Sequence, residues 1–76
     1  MGNKTLDKAS KGKFLKINSL PKGIHRIQLL RFGITEGDIV FCLERLPGGT
    51  VVIKKNRQEI AIGFDIAKNI SCSYHS

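Results

Sequence analysis

Four side chains in this sequence are imidazoles or thiols, types that serve in metal and nucleophile chemistry: His25, Cys42, Cys72 and His75. Cys72 and His75 have C-x-x-H spacing, and thiolate with imidazole suits borderline divalent metals such as zinc. Their settings argue against a site. Cys42 lies in the apolar run Ile39, Val40, Phe41, Cys42, Leu43, where a cysteine serves as a small buried hydrophobe. Cys72 and His75 lie next to the C-terminus, where a fraying chain end holds ligands poorly. No metal and no cofactor are therefore expected. A transition-metal-binding regulator that uses Cys42 or Cys72 stands as an alternative.

Catalysis is not expected either. His25 and His75 are isolated, and no Ser or Cys stands beside either of them with an orienting acid. The Pro47, Gly48, Gly49 loop lacks the lysine and second glycine of a phosphate loop. What remains is a binding module, and the charge distribution indicates where it binds.

The net charge of +7 is confined to one part of the chain. Up to Arg31 there are eight basic residues against the single acid Asp7, whereas from Phe32 onward five basic residues meet five acids. Such a field favours an acidic protein face, an anionic membrane or a nucleic acid. Seventy-six residues make one domain, 1–76 with an ordered core of about 6–73, too small to house an elaborate buried active site. No apolar run reaches the length of a membrane span, and the N-terminus has no signal-peptide core, so a cytoplasmic protein with free thiols is expected.

These residues must be positioned by short elements. After loose first residues, Lys13 to Asn18 alternates Leu15 and Ile17 with Lys16 as a first strand. Ile24, Ile27, Leu30 and Arg31 recur at helical spacing, with Leu29 and Phe32 widening the apolar side, and predict a helix over Lys22 to Phe32 closed by Gly33. The other side of that helix carries His25, Arg26, Gln28 and Arg31. A turn through Gly37 leads into a long strand, Ile39 to Leu46. Val51 to Lys54 and Gln58 to Ile62 then form a hairpin around Asn56. One helical turn over Phe64 to Asn69 and a last strand, Ile70 to Ser73, complete a mainly β chain of about five strands. Closure into a small barrel would remove its exposed edges.

The ordered set Leu6, Gly12, then Arg26, Ile27, Gln28, Leu29, Leu30, Arg31, Phe32, Gly33, Ile34, then Gly37, the Pro47-Gly48-Gly49 loop, and Glu59, Ile60, Ala61, Ile62 resembles FeoA domains from Leu6 to Ile70. Glu36 stands where that family usually carries proline before its glycine, and Lys11 where a proline often precedes Gly12. The resemblance implies an SH3-like barrel with one helix inserted after the first strand, packed through Leu29 and Leu30. It also implies a non-catalytic accessory of bacterial ferrous-iron uptake that binds and modulates the transporter FeoB on its cytosolic side.

The residues expected to face that partner are Lys13, Lys16, Lys22, His25, Arg26 and Arg31, with the anionic membrane surface beside the transporter as a second neighbour. A monomer or weak self-association is expected. Nucleic acid is not expected, since only Phe14 and Tyr74 offer stacking rings near the charge, but a basic SH3-like barrel that binds nucleic acid stands as the runner-up function.

Overall fold

Strand alternation sorts core from surface in the computed structural model, which describes residues 3–75. In β2 (Phe14–Ser19) Leu15 and Ile17 are fully buried while Phe14, Lys16 and Asn18 face outward. In β3 (Ile39–Arg45) the inward pair is Val40 and Cys42; in β4 (Val51–Lys55) it is Val51 and Ile53; in β5 (Gln58–Ile62) it is Ile60 and Ile62. β6 (Ser71–Tyr74) turns Cys72 inward. These side chains form one core with Leu6, Leu29, Ile34 and Ile70, and no polar or charged residue is buried among the described residues.

Asn3–Thr5, expected to be loose, is a strand, β1, paired antiparallel with β6 from Asn3 opposite Ser73 to Thr5 opposite Ser71. Asn18 ties it down with hydrogen bonds from its amide to Asn3 Oδ1 at 3.1 Å and Ser73 Oγ at 3.2 Å. Leu6–Lys8 follows as a 3-10 turn that buries Leu6, and the Leu6 amide donates to the Ile70 carbonyl at 2.9 Å. The looseness also foreseen for residues 1 and 2 lies outside the described residues.

The six strands make one antiparallel sheet in the order β1-β6-β2-β3-β4-β5. The expected fold class thus holds, with two corrections. There are six strands, so the helix enters after the second, and the described sheet does not close, because β1 and β5 remain as edges without mutual pairing. β5 avoids a bare edge by other means: Gln28, Leu29 and Phe32 share a small cavity of about 60 Å³ with Ile60–Gly63 and Ile66, so the inserted helix lies alongside it.

The hairpin of β4 and β5 forms as its residues dictate. Val51 pairs with Ile62 and Ile53 with Ile60, and Asn56 takes the left-handed conformation (φ 57°) that asparagine tolerates in a two-residue connection. The helical turn α2 spans Phe64–Ala67 and buries Ala67. No helix among the described residues is long and apolar enough to cross a membrane.

Candidate docking surface

The helix α1 spans Ile24–Arg31, shorter at both ends than its sequence pattern suggested. Its C-terminus is a Schellman motif. Gly33, at φ 85°, donates to the Leu30 carbonyl at 3.0 Å, and Ile34 donates to the Leu29 carbonyl at 3.0 Å. Leu29 and Ile34 are both buried, which supplies the hydrophobic contact of that motif and fixes the rotation of the helix on the barrel.

That rotation overturns the expected facing of Ile24, Ile27 and Leu30, while Leu29 is buried and Gln28 and Arg31 are exposed as expected. Leu29 is the sole buried residue of α1. Ile24 is 64% exposed, Ile27 49% and Leu30 44%, so the apolar stripe points to solvent and Leu30 does not pack onto the barrel as expected. Phe32, just past the helix, is 53% exposed. The residues flanking Leu29 on the barrel side, His25 and Arg26, are half-buried. The helix is a ridge of three aliphatic side chains with Lys22 before it and Arg31 at its end, both exposed.

Of the basic residues expected to face a partner, Arg26 is the one held in an ion pair among the described residues. Its guanidinium donates to Glu36 from Nη1 to Oε2 at 2.8 Å and from Nη2 to Oε1 at 3.4 Å. That hydrogen bond, with backbone donors and the guanidinium charge behind it, holds the Glu36 carboxyl below the usual carboxylate range. Glu36 thus supplies a counter-charge that partly neutralises this member of the basic set. Lys13 and Lys16 belong to the outer face of the sheet: Lys13 lines a hollow with Ser10, Phe14, Tyr74 and His75, and Lys16 stands opposite Ile39. The basic set therefore divides between the α1 segment and the sheet face.

The helix is anchored from below by Lys55. Its ammonium donates to the Gly33 carbonyl and to Asp38 Oδ2, the latter at 2.7 Å, while the Thr35 amide donates to the same carboxylate at 2.8 Å. Burial pushes the Asp38 carboxyl up, but the hydrogen bonds from Lys55 and Thr35 and the ammonium charge outweigh it, leaving its pKa lowered. Sequence reasoning missed this clamp, because Lys55 lies 17 residues beyond Asp38 and 22 beyond Gly33.

The metal-type residues do not converge. Cys72 is fully buried between β1 and β2, while His75, past the end of β6, is exposed, so the C-x-x-H spacing points its two side chains apart. Burial pushes the Cys72 thiol up to about 11 and raises that of Cys42 as well. Among the described residues no three His, Cys, Asp or Glu side chains form a group able to hold a metal ion.

The sequence matches the FeoA domain profile over residues 4–74. The chain belongs to the FeoA domain family. No curated protein sequence matches it, and structural likeness comes at low identity. An iron uptake regulatory protein (FeoA) superposes with a TM-score of 0.84 at 20% identity, covering 99% of this chain and 100% of that one. A FeoA-like protein from Clostridium acetobutylicum gives 0.82 at 16%, covering 97% and 88%. The manganese regulator SloR gives 0.84 at 15%, covering 95% of this FeoA domain but 34% of that chain, so the same SH3-like fold also occurs as one part of a larger regulator.

Proposed function

We propose that this FeoA domain is a non-catalytic, cytoplasmic accessory of bacterial ferrous-iron uptake that docks through α1 on the cytosolic side of the FeoB transporter. The observation that carries the reading is the outward stripe of Ile24, Ile27 and Leu30 on a helix held by a single buried leucine. Water gains nothing from an aliphatic ridge, whereas a partner that covers it gains roughly 1 kcal/mol for each half-exposed side chain. Lys22 and Arg31 add the charge that favours an acidic protein face, and the same cations suit the anionic leaflet next to a transporter. Family membership supports the iron-uptake context.

The test is an amide NMR titration of the labelled chain with the cytosolic GTP-binding domain of FeoB from the same organism, at physiological and raised salt. The expected result is a cluster of shifts over Lys22 to Arg31 that Ile27→Glu abolishes without altering the rest of the spectrum. Shifts confined to other surfaces, or none at high protein concentration, would overturn this docking mode.

A further inference from the structure

The outer face of the sheet carries a second surface that the docking of α1 leaves unused. Strand register assembles it. Phe14 on β2 stands opposite Phe41 on β3, and Phe41 stands opposite Lys54 on β4. The two rings pack with centroids 4.9 Å apart at 59°, and Phe14 remains 53% exposed. Beside this row Ile39, 38% exposed, stands opposite Lys16.

Phe14, Ile39, Phe41 and Leu43 floor an open groove of about 510 Å³ whose wall is Lys54 and Asn56. Phe14 also borders the adjoining hollow of about 460 Å³ with Lys13, Tyr74 and His75. The result is a continuous track across β4, β3 and β2 with an apolar floor and lysines at both ends.

Charge selects the occupant. The track carries Lys13, Lys16 and Lys54, and the acids on the same face are Glu59, opposite Lys54 in the register, and Glu44, opposite Val52. Glu44, next to Leu43, is held by Lys11 at 3.2 Å. A second copy of the chain would bring like charges together. The floor also disfavours a run of stacked bases: Phe14 is its one exposed ring, Phe41 is half-buried against it, and Ile39 and Leu43 are aliphatic, which suits apolar side chains better.

The geometry points to a docking groove for an acidic peptide segment bearing bulky apolar side chains, with those side chains over Phe14, Phe41 and Ile39 and its carboxylates on Lys16 and Lys54. An extended segment crosses the two gaps between three strands, about 4.8 Å each, in only about three to four residues. The inference goes beyond the transporter reading and stands without it, since it uses no residue of α1.

The test is selection of random dodecapeptides displayed on phage against the intact chain, followed by NMR titration of the enriched peptide. Enriched sequences are expected to combine Asp or Glu with Leu, Ile, Phe or Trp, and their binding to shift the amides of Phe14, Ile39, Phe41 and Lys54. The double variant Lys16→Glu/Lys54→Glu, at exposed positions that leave the core intact, is expected to weaken binding by at least about tenfold, as is raised salt. No enrichment, enrichment of sequences without acids, or shifts confined to Ile24–Arg31 would overturn the proposal. So would an oligouridine that produces the same shifts, which would assign the groove to single-stranded nucleic acid.

Discussion

The ammonium of Lys55 and the carboxylate of Asp38 meet at 2.7 Å with both side chains mostly shielded, 23% and 19% exposed. The same ammonium donates to the Gly33 carbonyl just past the end of α1, so one lysine of the hairpin ties down the segment that follows the inserted helix. Asp38→Asn leaves Lys55 a partly buried charge without its counter-ion, and is expected to cost roughly 1–3 kcal/mol in urea unfolding at neutral pH. Because the Asp38 pKa is lowered on folding, its contribution is fully present above its unfolded value of 3.8 and is lost as pH falls below that, through the folded pKa. The wild-type and Asp38→Asn unfolding curves should therefore converge between neutral pH and strongly acidic conditions; parallel curves down to the lowest pH would remove the ion pair from the account.

Leu29 and Leu30 are adjacent and chemically identical, yet only Leu29 is buried, at 3% exposure against 44%. Truncation separates their roles. Leu29→Ala is expected to cost roughly 2–5 kcal/mol and to release α1 from the barrel, whereas Leu30→Ala should stay within about 1 kcal/mol of wild type. Thermal unfolding of the two variants provides the comparison, and equal losses would mean that α1 rests on the barrel in another rotation.

Gly49 is the tightest glycine of the fold. It sits at φ 90°, and a Cβ built there would lie 2.7 Å from Cδ1 and 3.0 Å from Cβ of Phe64. Gly49→Ala therefore meets both backbone strain and a ring anchored on α2, and a loss of roughly 1–3 kcal/mol is expected. Gly33→Ala, at φ 85° with open space around it, carries the backbone part alone and should cost roughly 1 kcal/mol. The difference in unfolding midpoint between the two variants measures the contact with Phe64.

The two cysteines give a probe of core integrity. Both are fully buried, and burial raises both thiol pKa values, Cys72 to about 11. Reaction with a thiol reagent such as DTNB is expected to be slow in buffer and rapid in denaturing urea. Fast reaction of either thiol in the folded protein would show local opening around β6 or β3.

Much of the fold is legible in the sequence because it depends on neighbours along the chain. The alternation of Leu15 and Ile17, the Asn56 turn that sets the pairing of Val51 with Ile62, and Gly33 at the end of α1 are local decisions, made by backbone sterics and by strand periodicity. The segment Asn3–Thr5 was not legible as a strand, since its strand character comes from pairing with β6 some seventy residues away. The facing of α1 was misread for a related reason. The stripe Ile24, Ile27, Leu30 has the period of a buried face, but the Schellman contact between Leu29 and Ile34 rotates it outward.

The docking track is likewise a tertiary product. Phe14, Phe41 and Lys54 carry no shared motif, and only the register of three strands lines them up on one face. The sequence by itself determined the SH3-like class, the hairpin, the end of the helix and the excess of positive charge, all of which depend on composition and local geometry. Which apolar side chains stay in water, and which lysines stand beside them, was decided only by long-range packing, because burial is settled by contacts that no local pattern encodes.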